Sequence, residues 1–338
     1  MSSVLPAPRV SVVVPTYNVE NFIGDTLQSI FAQTFKDFEV LVVIDGSPDR
    51  SIDVCRLFDD DPRLTIIEQE NRGLAGARNT GIRHARGEYV AFLDGDDMWE
   101  PTKLARHVEH LDRAPEVGVS FSRSKFFGGT SAAYLMSATG RIDAKRLLCR
   151  NPISNGSTPV VRRAALDAVR KGGEYFDESL RRNEDIDLWL RIACQTDWQL
   201  EGLSEALTCY RINAEGLSAS FYRQFESWMT VVEKTRQYAP ELIESWGSLA
   251  KGYQYRALAQ KAVMIGDGKA AVDLITKALA SDLRIFAEPR GTTLTVIAAF
   301  LLYILPKRLF QPLLKLAFAI RTRSQTSHIR RESRTLYA

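Results

Sequence analysis

A cluster of carboxylates near residue 95 is the feature of this chain with the most evident chemistry. Asp94, Asp96 and Asp97 follow the apolar run 89–93, and Gly95 stands among them. Carboxylates this close together repel one another, and a divalent cation such as Mn²⁺ or Mg²⁺ would neutralise them. Such ions are commonly held by one or two carboxylates together with substrate phosphates. The alternative is an acidic turn in which Asp97 caps the next helix.

A further carboxylate, Asp45, follows another apolar run, residues 40–44. A carboxylate that leaves a buried strand can accept hydrogen bonds from the imide of a base or from a ribose hydroxyl. Gly46 and Ser47 would let the chain turn sharply behind it. Because Asp-Gly pairs are also common in ordinary turns, this position is open to both interpretations.

Two glycines, Gly73 and Gly76, stand at the start of a predicted helix that carries Arg78 and Asn79 in its early turns. Backbone amides at a helix start, with an arginine nearby, could bind a phosphate or the edge of a base. The alternative is that the small residues only allow the helix to pack closely against a sheet.

An acidic pair, Glu184 and Asp185, lies at the predicted start of a later helix, with Leu188 and Trp189 facing inward. A carboxylate in this position could take the proton of an acceptor hydroxyl as a general base. Acids in the first turn of a helix are also favoured by the helix dipole alone, so the pair by itself does not establish catalysis.

Alternating strand-like and helix-like segments over residues 10–121 must position these side chains. Continuous β-branched runs separated by amphipathic segments predict an α/β fold, with a mostly parallel sheet covered by helices on both faces. Such sheets bind ligands at the carboxyl ends of their strands, where the loops 15–18, 45–49 and 94–97 fall. The predicted strands are residues 10–14, 38–44, 64–68, 89–93 and 117–121, and the predicted helices are 21–32, 51–58, 74–85 and 102–111.

The pattern weakens beyond residue 121, and residues 128–131 are expected to form a loop or flap. A helical region is predicted over 220–282, with a break at 266–268. The elements that would complete the first domain are a strand over 158–162, helices over 163–171 and 184–193, and a strand ending at 209–211.

The C-terminal part of the chain is first apolar and then basic. Residues 292–305 carry no charge, but the run is shorter than the ~20 residues that a membrane-spanning helix needs. Residues 306–338 carry eight Lys or Arg against one acid, Glu332. The pattern fits a buried terminal helix or, alternatively, a segment lying in a membrane interface and held by anionic lipids. A transmembrane span is the least favoured option.

Taken together, four segments resemble a family 2 glycosyltransferase with a GT-A fold. They are the run 10–18, the Asp-Gly-Ser turn at Asp45, the stretch 71–79 and the sequence Leu-Asp-Gly-Asp-Asp, which match in order and spacing. The resemblance extends over about residues 8–215 and not over the C-terminal third. It implies a reaction of hexosyltransferase type, in which a sugar leaves a nucleotide-diphospho-sugar, with UDP expected, and the anomeric carbon is inverted.

The resemblance also implies roles for single residues. Asp96 and Asp97 would hold a divalent metal, Mn²⁺ or Mg²⁺, and Asp94 with Asp96 would form an Asp-x-Asp pair that faces the ribose and this metal. Asp185 would be the general base. The residues that would bind the donor nucleotide are Pro15, Thr16, Tyr17, Asp45, Arg78, Asp94 and Gly95, and those on the acceptor side are Glu184, Trp189 and Arg211.

Three positions depart from the family pattern. Ile44 replaces the first of two acids that often precede Gly-Ser, and Pro48 replaces a small hydroxyl residue. Asn213 stands near the place where the family often carries a histidine that approaches the metal or the diphosphate. The Gln-x-x-Arg-Trp sequence typical of processive synthases has no obvious counterpart, which favours transfer of a single sugar.

Composition bounds the remaining possibilities. The net charge of +3 over 338 residues gives no global field that would indicate nucleic acid as a partner. Four cysteines without metal-finger spacing, and an N-terminus without a long apolar core, predict reduced thiols in a cytosolic protein.

We therefore expect a catalytic domain over 1–218, a helical appendage over 219–288 and a possible membrane-interface anchor over 289–338. The enzyme would act on a glycan or lipid-linked acceptor of surface polysaccharide synthesis, at the inner face of the cell membrane. Two alternatives are a sugar nucleotidyltransferase and a non-catalytic sugar-nucleotide sensor or scaffold. A nucleotidyltransferase needs a Gly-rich, basic loop after the first strand, and the loop 15–18 lacks that character. The presence of Asp94, Asp96 and Asp185 weighs against a non-catalytic sensor or scaffold.

Overall fold

A computed structural model of the chain describes residues 7–127, 134–135, 139–211, 221–287 and 289–305. The chain forms two compact units. The first takes in residues 1–143 and 152–214, and the second takes in 144–151 and 215–338. The functional division at residues 218 and 288 stays a prediction, although the short segment 144–151 groups with the second unit.

One large sheet organises the first unit. Its strands along the chain are β1 (Val10–Thr16), β2 (Phe38–Asp45), β3 (Leu64–Gln69), β4 (Tyr89–Phe92), β5 (Met98–Trp99), β6 (Val117–Phe127), β7 (Tyr134–Leu135), β8 (Gly140–Ile142), β9 (Val160–Arg162) and β10 (Gln199–Arg211). Their order across the sheet is β3-β2-β1-β4-β9-β6-β10-β5, with β7 added to β6 and β8 added to β10.

The sheet is mostly parallel, as the sequence predicts. Strands β1, β2, β3 and β4 run parallel to one another, and β6 runs parallel to β10. Strand β9 is antiparallel to both of its neighbours, and β5 is antiparallel to β10. The predicted strand ends agree with the structure to within a few residues for β1 to β4. Strand β6 is longer than predicted because it continues to Phe127.

Helices cover both faces of this sheet. The helices of the first unit are α1 (Ile23–Phe31), α2 (Ser51–Arg56), α3 (Gly73–His84), α4 (Lys103–Arg113), α6 (Arg163–Ala168) and α7 (Glu184–Gln195), while α5 (Ala144–Cys149) belongs to the second unit. Val12 of β1 packs in one core with Leu27 of α1 and Leu104 of α4. On the opposite face, a Cβ placed on Gly81 of α3 would come within 2.2 Å of Val13. Glycine at position 81 therefore lets α3 lie close against the sheet.

The second unit is helical in its described part. Beside α5 it contains α8 (Phe221–Tyr238), α9 (Pro240–Ile265), α10 (Gly268–Ser281), a short 3₁₀ helix (Leu283–Ala287) and α11 (Pro289–Ile304). The predicted break is present, because α9 ends at Ile265 and is followed by Gly266, whose φ of 78° is left-handed. Asp267 then caps α10 by accepting a hydrogen bond from the Ala270 amide over 3.0 Å.

None of the helices in the described ranges is both long enough and apolar enough to cross a membrane. The loop predicted over 128–131, the departure at Asn213 and the basic segment 306–338 lie outside the described residues.

Candidate functional site

The three polar loops predicted to converge do so at the carboxyl ends of β1, β2 and β4. The loop that follows β4 lies directly against the loop that follows β1. A Cβ on Gly95 would come within 3.0 Å of Val19 and within 3.3 Å of the Pro15 carbonyl oxygen. The absence of a side chain at Gly95 thus allows the acidic segment 94–97 to approach this loop. We call residues 94–97 the acidic loop.

The carboxylates of the acidic loop have different surroundings. Asp97 is fully buried, and its two oxygens accept hydrogen bonds from the Ser157 hydroxyl over 2.7 Å and from the Arg211 amide over 2.9 Å. Burial, together with Asp94 and Asp96, raises the pKa of Asp97 well above its usual range. A metal at Asp97 would share the carboxylate with these two donors.

Asp96, in contrast, is partly exposed. Burial first, and then the charge of Asp94, raises the pKa of Asp96 to about 6. Arg211 lies beside it, because its side chain donates from Nε to the Asp96 carbonyl oxygen over 2.8 Å and from Nη2 to Asp25 over 3.1 Å. Arg211 therefore holds the acidic loop, and its place on the acceptor side stays a prediction.

Arg78 of α3 joins the acidic loop to the start of α7. Its side chain is buried, and it donates from Nη2 to Oδ1 of Asp94 and from Nη1 to Oε1 of Glu184, each over 2.7 Å. The guanidinium also lies 5.4 Å from the centre of the Phe176 ring. Burial would lower the pKa of Arg78, but Asp94 and Glu184 raise it above its ordinary value. Arg78 is thus a fixed cation between two acids.

The acidic pair at the start of α7 divides into an inward and an outward member. Glu184 is buried against Arg78; burial raises the pKa of Glu184 to about 7, although Arg78 opposes the shift. Asp185 is partly exposed, and its Oδ1 accepts a hydrogen bond from the Ile186 amide over 2.8 Å. Asn183, which precedes the pair, has a φ of 58°, a left-handed conformation that asparagine tolerates well. Trp189 is buried inside the unit, so its ring is not presented to an acceptor.

Asp45 holds the start of α3. Its oxygens accept hydrogen bonds from the amides of Arg72 and Gly73, each over 2.8 Å, and from the Gln69 side chain over 2.6 Å. A nucleotide base at Asp45 would therefore share a carboxylate that already has three donors. Sequence inspection missed this capping role, because Gln69, Arg72 and Gly73 carry no capping signal on their own.

The remaining predicted donor residues come from the end of β1. Pro15 and Thr16 are buried, and the Thr16 hydroxyl donates to the Val14 carbonyl over 3.2 Å. Tyr17 is 51% exposed, so of these three residues it offers the most surface to a ligand. Ser157 is a site residue that the sequence did not indicate. It lies sixty residues after Asp97, in a loop that carries no acidic or glycine-rich motif.

No group of three or more His, Cys, Asp or Glu within the described ranges is arranged to hold a metal ion by protein ligands alone. The chemistry of the acidic loop nevertheless fits a cation shared with phosphates. Asp96 is partly exposed, is destabilised as an anion first by burial and then by its neighbour Asp94, and supplies the oxygen ligand that Mg²⁺ and Mn²⁺ prefer.

Comparison with known proteins agrees with the fold. The model of glycosyl transferase family 2 matches residues 11–170. The uncharacterized glycosyltransferase EpsJ of Bacillus subtilis (strain 168) is 44% identical over 229 residues, which are 64% of this chain and 64% of EpsJ. The putative teichuronic acid biosynthesis glycosyltransferase TuaG of the same organism is 28% identical over 222 residues, 64% of this chain and 84% of TuaG.

A solved structure, the mannosyltransferase PcManGT from Pyrobaculum calidifontis in complex with GDP-Man and Mn²⁺, has a TM-score of 0.57. It is 24% identical, and the match covers 88% of this chain and 81% of that one, which shows a shared fold. The chain spans less than two thirds of the length of the first curated relatives that it matches. Residues 11–170 thus match glycosyl transferase family 2, and the mixed α/β sheet with the acidic loop at its carboxyl edge agrees with this match.

Proposed function

We propose that the chain is an inverting glycosyltransferase that moves a single sugar from a nucleotide-diphospho-sugar, with UDP as the expected nucleotide, to a hydroxyl group. The observation that carries this proposal is the position of Arg78, which binds Asp94 of the acidic loop and Glu184 beside Asp185. Donor and acceptor machinery that are far apart in sequence are joined at this one cation. The family match and the nucleotide-sugar complex of PcManGT support the same reaction class.

On the donor side, Asp94 and Asp96 would face the ribose and a divalent metal, and Tyr17, Pro15 and Thr16 would line the nucleotide. When bound, the cation would offset the charge of the departing diphosphate. Asp96 is our first choice of metal ligand, because it is accessible and lacks the two hydrogen bonds that occupy Asp97. The Mn²⁺ in the PcManGT complex supports this cofactor class.

On the acceptor side, Asp185 would act as the general base. It would take the proton of the acceptor hydroxyl while the hydroxyl oxygen forms a bond to the anomeric carbon. The bond between that carbon and the diphosphate oxygen breaks on the opposite face, and the nucleoside diphosphate leaves with the electron pair. Glu184, held by Arg78, would keep the start of α7 in place for this step.

The acceptor would be a glycan or lipid-linked precursor of a surface polysaccharide, a suggestion that the name of the relative TuaG supports. We also propose peripheral binding to the inner face of the membrane through the C-terminal segment. In α11 the side chains of Leu294, Ile297, Tyr303 and Ile304 are 66%, 49%, 61% and 71% exposed. A helix that turns its large apolar side chains outward fits a lipid interface, and the basic sequence 306–338 that follows would favour anionic lipids.

The experiment that tests the catalytic proposal is a melting series with UDP, GDP, dTDP and CDP, each with and without Mn²⁺. A ligand at about 100 times its dissociation constant adds roughly 2.7 kcal/mol of stability, which shifts the melt visibly. One nucleotide that stabilises the protein only with metal is the expected result, and its diphospho-sugar is then used in a transfer assay. Nucleotide binding without any turnover would favour a non-catalytic sensor or scaffold, and no binding would overturn the donor site.

A further inference from the structure

Ser157 connects the two ends of the acidic loop. It lies in the segment that precedes β9 and is fully buried. The Asp94 amide donates to the Ser157 Oγ over 3.1 Å, and this Oγ lies 2.7 Å from Oδ2 of Asp97. Because an amide can only donate, the hydroxyl accepts from Asp94 and its own proton is directed to Asp97. One hydroxyl group thus fixes the backbone at the start of the loop and the side chain at its end.

Ser157 is itself fixed through its main chain. Its carbonyl oxygen accepts hydrogen bonds from the Trp99 indole over 2.9 Å and from the Thr208 hydroxyl over 3.3 Å. Its amide donates to the Asn155 side chain over 3.1 Å. Strands β5 and β10 therefore fix Ser157, and Ser157 in turn fixes the acidic loop. A rigid support of this kind limits the conformations that the loop can adopt.

The preceding residue, Gly156, sets the position of Arg78. A Cβ at Gly156 would lie 2.1 Å from Nη2 of Arg78, which is the nitrogen that binds Asp94. Arg78 cannot easily give way, because it is buried, paired with Glu184 and in contact with the Phe176 ring. Glycine at 156 leaves the space that the Arg78–Asp94 pair needs.

We propose that the segment 155–157 is a positioning element for the donor site, acting through the Ser157 hydroxyl on the acidic loop and through the missing side chain of Gly156 on Arg78. This inference rests on the proposed function, because it assigns these residues to the binding of a metal and a nucleoside diphosphate. Neither residue needs to touch the substrate. Groups that orient metal ligands in this way typically change metal affinity or activity by 10–100-fold when they are removed.

The test is Ser157→Ala, with Ser120→Ala as the matched control. Ser120 is also fully buried, and its hydroxyl lies 2.7 Å from His107 and 2.8 Å from His110, away from the acidic loop. Both variants lose one buried hydroxyl with two partners, so both should melt at a lower temperature without ligand. Mn²⁺ is then titrated by calorimetry in the presence of the nucleoside diphosphate that stabilises the wild type.

We expect Ser157→Ala to need about tenfold more Mn²⁺ for half-saturation, and Ser120→Ala to bind as the wild type does. Equal Mn²⁺ binding by Ser157→Ala and the wild type would overturn the inference, as would equal weakening in both variants. If Ser157→Ala does not fold, Gly156→Ala is used in the same Mn²⁺ titration. Unchanged Mn²⁺ binding by Gly156→Ala would then overturn the inference. A wild type that binds no nucleotide with Mn²⁺ refutes the proposed function instead, so the two failures are distinguishable.

Discussion

Arg78 and Glu184 form a buried ion pair, with Nη1 of the arginine 2.7 Å from Oε1 of the glutamate, although 106 residues separate them in the sequence. The pair joins α3 to the first turn of α7. The other end of the guanidinium binds Asp94, so one cation compensates two acids in a region that is largely closed to water. The structure consequently couples the acidic loop to the acidic pair at the start of α7.

Replacement of Arg78 by methionine should damage both stability and transfer. The substitution leaves Glu184 and Asp94 without their cation, and removal of one partner of a buried pair typically costs about 3–5 kcal/mol. Transfer should fall by about 100-fold or more, because a fixed charge at the site is lost. Urea unfolding and a transfer assay measure the two effects. Arg83→Met is the control, since Arg83 is exposed on the same helix and bonds only Thr80 among the contacts described for it. Similar losses in both variants would contradict the role of Arg78.

Asp185→Asn should abolish transfer and leave donor binding largely intact. An amide cannot take the proton of the acceptor hydroxyl, and a general base is typically worth 10²–10⁴ in rate. Its neighbour provides the comparison, because Glu184→Gln removes a charge from the Arg78 pair and should weaken donor binding as well. Turnover and nucleotide binding are measured on the same preparations. If Asp185→Asn loses donor binding as severely as it loses turnover, the general base is another group.

In the metal-free protein, the stability that Asp96 contributes should fall as the pH rises from about 4 to 6. Burial and Asp94 raise the pKa of Asp96 from 3.8 to about 6, so the folded state binds a proton that the unfolded state has already released. The stabilisation is full below the ordinary pKa and is lost as the pH passes the folded value. Asp97 and Glu184 shift in the same direction, so Asp96→Asn should reduce this dependence without removing it.

Urea unfolding between pH 4.5 and 7 with a chelator measures the effect. Asp53→Asn serves as the control, because this side chain is 53% exposed on α2, outside the acidic loop. Mn²⁺ with the nucleotide should stabilise the wild type more at pH 7 than at pH 5, since protons compete for Asp96. Identical pH slopes in Asp96→Asn and the wild type would show that Asp96 does not titrate in this range.

The sheet could be predicted from sequence because each strand is marked by a pattern of residues that are neighbours in the chain. The strands β1, β2 and β4 are mostly apolar, and each ends at a polar loop whose position follows from the parallel arrangement. The convergence of Asp45 and Asp94 at one edge followed from the same argument. Each of these inferences needed only residues that are neighbours in the chain.

The contacts that fix the site could not be predicted in this way. Ser157 meets Asp94 and Asp97 over separations of 63 and 60 residues, and a buried serine leaves no trace in apolar periodicity. Asp45 is predicted to bind a base, and its oxygens also hold the start of α3 through amides that any residue would supply. Arg211 was expected on the acceptor side, and its contacts with the acidic loop depend on the register of β10. Hydrogen bonds to backbone groups are invisible in a pattern of residue types.

The outward face of α11 gives the last prediction, which concerns membrane binding. Leu294→Glu combined with Ile297→Glu places two charges among exposed apolar side chains, where burial in lipid would be costly. Co-sedimentation with phosphatidylglycerol vesicles should fall about tenfold or more, while the melting temperature stays near that of the wild type. Leu57→Glu is the matched control, because Leu57 is a 79% exposed leucine of the first unit. The wild type should bind neutral phosphatidylcholine vesicles less well, since the basic sequence 306–338 favours anionic lipids. If the wild type does not sediment with either vesicle but forms dimers that Leu294→Glu with Ile297→Glu dissociates, the face binds a second copy of the chain instead of a membrane.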